Sequence, residues 1–211
     1  MKMLRLMTLI FILSACSSTQ YESAALMSEI EVSELNSVKL HVATQDIVIA
    51  SQANERLFKL HHNHAEVHEM IENIASRFGF QLSSLANAEY RLDVSSARPD
   101  GGKCLEGFSS FNKGMTFTFS VLTLGVLPAT NGYCLEVNAS LSYRQELYGE
   151  LSSEMSLLAD FQSNAGRVSV LAGANEVDNY QRTVTIEDEA KALETSITHL
   201  FLDMIKQGAF E

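Results

Sequence analysis

The chain has 211 residues, with 15 Lys and Arg against 26 Asp and Glu, and a formal net charge of −11. So acidic a composition excludes nucleic acid as a partner, because that binding needs basic side chains to displace counterions, and it excludes a polybasic membrane-surface patch. Hydrophobic residues make up 46% of the sequence, enough for one packed domain, and no later stretch approaches the roughly eighteen apolar residues of a membrane span.

At the N-terminus Lys2 and Arg5 precede an apolar run, Leu6 to Leu13. Eight residues span about 12 Å as a helix, well short of a hydrocarbon core of about 30 Å, so the run suits a cleaved signal better than a membrane anchor. It ends in Leu13-Ser14-Ala15-Cys16. This arrangement resembles the bacterial lipobox, in which the cysteine receives a diacylglycerol and the chain is cut just before it. The resemblance implies a signal peptide over residues 1–15 and acylation, including a palmitate-type chain, at Cys16. It also implies a protein held in the membrane by lipid. Ser17 stands where an aspartate would favour inner-membrane retention, so the implied address is the outer membrane, facing the periplasm. Removing Lys2 and Arg5 leaves 13 bases against 26 acids, a formal charge of −13. Residues 16–36 are polar and acidic and read as a flexible tether with a reach of roughly 25 Å. A single periplasmic α+β domain is expected over 37–211.

Val38, Leu40 and Val42 alternate as on a half-buried strand, followed by a second short strand from Asp46 to Ala50 and a turn or loop over Ser51 to Glu55. Asn63 is a good N-cap with Glu66 placed for a capping box. Val67, Met70, Ile71, Ile74 and Phe78 then form one helical stripe that Gly79 can close. Tyr90, Leu92 and Val94 alternate in a further strand over residues 88–95, and Arg98-Pro99-Asp100-Gly101-Gly102 reads as a turn. Two β-type runs follow, Met115 to Leu127 and Tyr133 to Tyr148, with Asn131-Gly132 favouring a tight reversal between them. In the second run Leu135, Val137, Ala139, Leu141 and Tyr143 are expected on the core side.

Residues 149–182 carry weak signals, with strands read at Leu151 to Phe161 and Arg167 to Ala172. Thr185 caps a last helix with Glu187, Asp188 and Glu189 in its first turn, where acids favour the positive dipole end. Ala190, Leu193, Ile197, Leu200, Phe201 and Met204 form its apolar face, and Gly208 ends it. The fold class expected is α+β, a mostly antiparallel sheet with two amphipathic helices on one face. This outline resembles the small α/β domains of periplasmic accessory lipoproteins. Leu122 to Pro128 also resembles the Leu-Thr-Leu-Gly-x-Leu-Pro hairpin of some Gram-negative outer-membrane lipoproteins, which implies no activity.

With Cys16 acylated, Cys104 and Cys134 remain as an even pair, expected in an oxidising compartment to form a disulfide. Closing a loop of about 30 residues would stabilise the fold by roughly 3–4 kcal/mol. His61, His64 and His68 would fall within about 60° around a helix extended back to residue 61. His64 and His68 have the i, i+4 spacing of zinc-binding helices, but Glu66 sits one place too late for the metalloprotease motif. A polar helix start is the simpler reading, so no metal or other cofactor is expected. Leu127 to Gly132 looks like a sortase signal broken by an extra Asn and reads as a turn, and Asn138-Ala139-Ser140 is a background sequon. No nucleophile elbow or phosphate-binding loop occurs. The expected function is therefore a non-catalytic, lipid-anchored periplasmic protein with a protein partner in the cell envelope. The alternatives are weak metal binding at His61, His64 and His68, or a small-ligand or lipid carrier lined by Phe117 to Leu127.

Overall fold

The computed structural model describes residues 35, 37–53, 56–100, 130–147, 150–171 and 176–210, all within one compact unit, Glu31–Glu211. Among the described residues seven strands and three helices run in the order β1 (Lys39–Ala43), β2 (Ala50–Ala53), β3 (Arg56–Lys59), α1 (His64–Arg77), β4 (Gln81–Leu82), β5 (Tyr90–Asp100), β6 (Thr130–Leu147), β7 (Glu150–Leu171), α2 (Glu176–Thr183) and α3 (Ile186–Lys206). The class is α+β as expected. Leu35 is buried and accepts a hydrogen bond from the Val38 N–H.

Five strands form a mixed sheet in the order β4-β1-β5-β6-β7, and β2 and β3 form a separate antiparallel pair. β1 lies parallel to both β4 and β5, whereas β5, β6 and β7 are antiparallel. Leu40, Val42, Leu92, Val94, Leu135, Val137, Ala139 and Leu141 are buried, which is the alternation read from the sequence, while Tyr143 is half-buried. The long central ladder is bulged opposite Val94 and Ser96 and again between Leu135 and Val137, each bulge adding local twist.

Several sequence expectations are corrected. The segment read as a turn at Ala97 to Gly102 is still strand through Asp100, with Arg98, Pro99 and Asp100 opposite Glu136, Leu135 and Cys134. Proline is tolerated there because β1 pairs only with Tyr90–Asp93, so β5 near Pro99 keeps β6 as its ladder neighbour. Thr130, Asn131 and Gly132, read within a reversal, already belong to β6, facing Leu171, Val170 and Ser169. Cross-strand partners here override the local Asn-Gly preference. Met115 to Leu127, read as the other arm of a hairpin with β6, lies outside the described residues; between Cys134 and Tyr143 β6 is flanked by β5 and β7. The reversal that pairs with β6 lies instead between Leu147 and Glu150, joining β6 to β7. In the same way Ser51 to Ala53, read as loop, is strand β2.

The helices form where local signals placed them. In α1 the Asn63 side chain accepts from the N–H groups of Ala65 and Glu66, and Glu66 accepts in return from the Asn63 N–H. Gly79 follows at φ 94°, which a side chain would disfavour. α3 is capped by Thr185, whose hydroxyl accepts from Asp188 N–H at 3.0 Å. α1 packs on α3, β1 and β4, while α3 also lies on β6 and β7. Phe78 and Phe80 meet Phe201 at ring-centroid distances of 5.6 and 5.7 Å, and Phe210 closes onto Phe80 at 4.7 Å and Tyr90 at 5.1 Å. Fully burying each large side chain of this kind stabilises the fold by about 1.5–3 kcal/mol.

Candidate functional site

Among the described residues, two gatherings of chemistry-bearing side chains adjoin α1. The first is a buried carboxylate. Glu189, one turn into α3, stands four residues before Leu193 on the inward side of the helix and is fully buried. Its Oε1 accepts from the His61 N–H at 2.8 Å, the His62 N–H at 3.2 Å and His62 Nδ1 at 2.8 Å. Its Oε2 accepts from His61 Nδ1 at 2.9 Å and the Tyr180 hydroxyl at 2.7 Å. Burial acts to raise the Glu189 pKa, but the hydrogen bonds from His62, Tyr180 and His61 outweigh it and hold the group below its ordinary value. Tyr180 is pushed far above the usual phenol range, first by burial and then by the negative charge of Glu189. The ring of Tyr180 stacks on His61 at 5.9 Å and meets Phe58 and Tyr133 edge-on. This constellation ties the residues just before α1 to the start of α3. With every carboxylate lone pair met and no solvent access to the carboxylate, it is an anchor for two chain segments.

The second is a cleft of about 500 Å³ at the carboxyl end of β1. Residues 42–45 form one side, His64, Ala65, His68 and Glu72 of α1 the other, and His41, Ser83 and Ser84 the end. His41 Nδ1 lies 3.1 Å from the Ser83 carbonyl and His64 Nε2 lies 2.8 Å from the Ile47 carbonyl. His68 Nδ1 is 3.0 Å from the Thr44 hydroxyl, and its Nε2 is 3.3 Å from Glu72. The volume falls in the range of small-ligand sites.

The expected histidine cluster is therefore divided. His64 and His68 share the cleft, joined by His41, which the sequence reading passed over. His61 does not join them, because the chain is not helical before His64 and its ring turns to Glu189. Among the described residues no group of three His, Cys, Asp or Glu side chains is placed to hold a metal ion. Glu187 pairs with Lys191 along α3 at 2.6 Å, as an acid at a helix start should, but Glu189 has a different role from the one its position suggested. The Asn138 amide donates to Glu136 at 2.6 Å and Ser96 at 2.8 Å, within a polar group on the sheet that also brings Arg98 and Gln162 to the buried Glu136 carboxylate. Cys134 is buried in β6 directly opposite Asp100, and its sulfur is not a free thiol. Cys16, Cys104 and the hairpin Leu122 to Pro128 lie outside the described residues. No helix among the described residues is long and apolar enough to cross a membrane.

No protein-family profile matches the chain, and no curated protein matches it in sequence. Among solved structures it is similar to the hypothetical protein CT253 from Chlamydia trachomatis, at 12% identity and a TM-score of 0.34, over 81% of this chain and 95% of that one. It is also similar to a protein of Caulobacter crescentus provisionally described as a lipoprotein, at 11% identity and a TM-score of 0.29, over 90% and 99% of the two chains. Likeness this distant carries no function to the present chain.

Proposed function

We propose that the protein is a lipid-anchored, non-catalytic component of the cell envelope, held by Cys16 in the outer membrane with its α+β domain facing the periplasm. The domain docks to a protein partner there, with its helices α1 and α3 packed on a single face of the sheet. The observation that carries this reading is Leu13-Ser14-Ala15-Cys16 behind a basic start and an eight-residue apolar run. Two acyl chains or more anchor firmly where one binds only reversibly. The disposition of ionisable groups supports a structural domain: Glu189 is engaged by His61, His62 and Tyr180, and Glu136 by Arg98, Asn138 and Gln162. Cys16→Ser is the test. The variant should lose the mass of its acyl chains and leave the outer-membrane fraction, whereas unchanged mass and fractionation would refute the anchor.

Within the same proposal, Cys134 pairs with Cys104. Cys134 is disulfide-bonded, and Asp100, four residues before Cys104, stands directly across from it. Four residues of extended chain reach about 13 Å, ample to turn back and satisfy the Cα separation of about 4.4–6.8 Å that a disulfide needs.

A further inference from the structure

The edge of β1 that faces β4 is closed on both sides of one gap. The Leu40 carbonyl accepts from the Ser83 N–H at 3.0 Å, and Leu40 and Leu82 form the last pair between β1 and β4. Further along the chain, the Ile47 carbonyl is met by His64 and the Ile49 carbonyl by the Leu60 N–H at 3.0 Å. Backbone groups alternate sides along a strand, so Val42, two residues after Leu40, presents its N–H and C=O on the β4 side, where β4 has already ended. This is where the cleft opens, lined by residues 42–45 and by the wall of α1 that carries His64, Ala65, His68 and Glu72.

We infer that this gap takes an extended segment of a partner polypeptide, which continues the place of β4 beside β1 by strand addition. The inference rests on the docking reading above and gives it a location. Recognition by strand addition uses main-chain hydrogen bonds for affinity and side-chain pockets for selectivity, and Val42 supplies the first. The chemistry of the wall selects the second. A backbone carbonyl only accepts, so His41 carries its proton on Nδ1 and His64 on Nε2 in the neutral form, leaving His41 Nε2 and His64 Nδ1 as acceptors. Glu72 adds a carboxylate, no Lys or Arg among the described residues lines the cleft, and the flanking Asp46, Glu66 and Glu69 are exposed acids. A donor-rich, basic segment complements this surface, with Lys or Arg on alternate residues and small apolar residues between them against Ala65.

A phage-displayed library of random hexapeptides, panned on the full-length protein in detergent micelles, tests this. Peptides alternating basic and apolar residues should be enriched. Their synthetic forms should bind at least tenfold more weakly to Ala65→Trp, which fills the cleft from an exposed helix position and leaves the core untouched. N-methylation of alternate peptide amides should cause a similar loss. Failure to enrich any peptide over empty micelles would overturn the inference, as would equal binding to Ala65→Trp. So would hydrogen exchange of the free protein showing the Val42 amide as protected as that of Leu92. Because acylation at Cys16 is read separately by mass and fractionation, loss of the anchor and loss of the docking groove give different results.

Discussion

Glu189→Gln is the sharpest perturbation the structure offers, because it keeps the shape of the side chain and removes only the charge and one acceptor. The carboxylate receives three donors on Oε1 and two on Oε2. The glutamine does best with its oxygen on the Oε1 side, which turns its NH₂ toward His61 Nδ1 and the Tyr180 hydroxyl. Hydrogen bonds to a charged group are each worth about 1.5–3 kcal/mol, and the hydroxyl can rotate to accept, recovering part of one. The expected loss is about 3 kcal/mol, which lowers the melting temperature by about 6–12 °C for a domain of this size. Thermal unfolding followed by circular dichroism at pH 7 measures it. The pH dependence is a second reading of the same bonds. The folded pKa of Glu189 lies below its ordinary value of 4.5, so on acidification the unfolded chain takes the proton first. The stabilisation is complete above that ordinary value and drains away as pH falls toward the folded one. The gap between wild type and Glu189→Gln should therefore narrow below about pH 4.5. A loss under about 1 kcal/mol at pH 7, or a gap that stays constant down to pH 3, would refute the account.

Gly166→Ala should destabilise the fold by about 3 kcal/mol or prevent it from forming, because an added Cβ would lie 1.7 Å from the Ala192 carbonyl oxygen and 2.5 Å from its carbon, both backbone atoms of α3. Urea denaturation measures this, and a change under about 1 kcal/mol would mean that α3 stands further from β7 than described. For the disulfide, alkylation of the unreduced, folded protein should leave Cys104 and Cys134 unlabelled, and mass spectrometry should find them in one linked peptide. Two labelled thiols would overturn that pairing.

The elements legible from sequence are those whose causes are local. Asn63 and Glu66 close a capping box within four residues, and Thr185 caps α3 with its own hydroxyl, so both helix starts fall where the pattern put them. β7 is legible from sequence only as two separate strands, Leu151 to Phe161 and Arg167 to Ala172, because among the described residues it pairs with β6 alone and its first half is largely exposed, as Leu157 at 63% and Leu158 at 45% show, so no alternation marks it as one. Glu189 was taken for a helix-start charge, since its burial depends on His61 and His62, 128 and 127 residues away. A local clue existed. Glu189 precedes Leu193, Ser196 and Leu200 by four, seven and eleven residues, which places a carboxylate on the apolar stripe. For the histidines, the Asn63 capping box already starts α1 after His61; only the partner of His61, Glu189 at the start of α3, had no local clue.

Ser196 has a consequence for everything upstream of it. At the bulge between Leu135 and Val137 the Ser196 hydroxyl donates to the Leu135 carbonyl at 2.6 Å and accepts from the Gly166 N–H at 2.8 Å, so a helix side chain completes a broken rung of the sheet. Seven residues earlier, about 10 Å along the helix axis, Glu189 grips His61 and His62 immediately ahead of α1. One helix thus fastens the far strands at Ser196 and the segment ahead of α1 at Glu189. Ser196→Ala would leave the Leu135 carbonyl and the Gly166 N–H buried without that partner, so urea denaturation should show a loss of about 1–3 kcal/mol, and no loss would mean that the serine does not complete the rung.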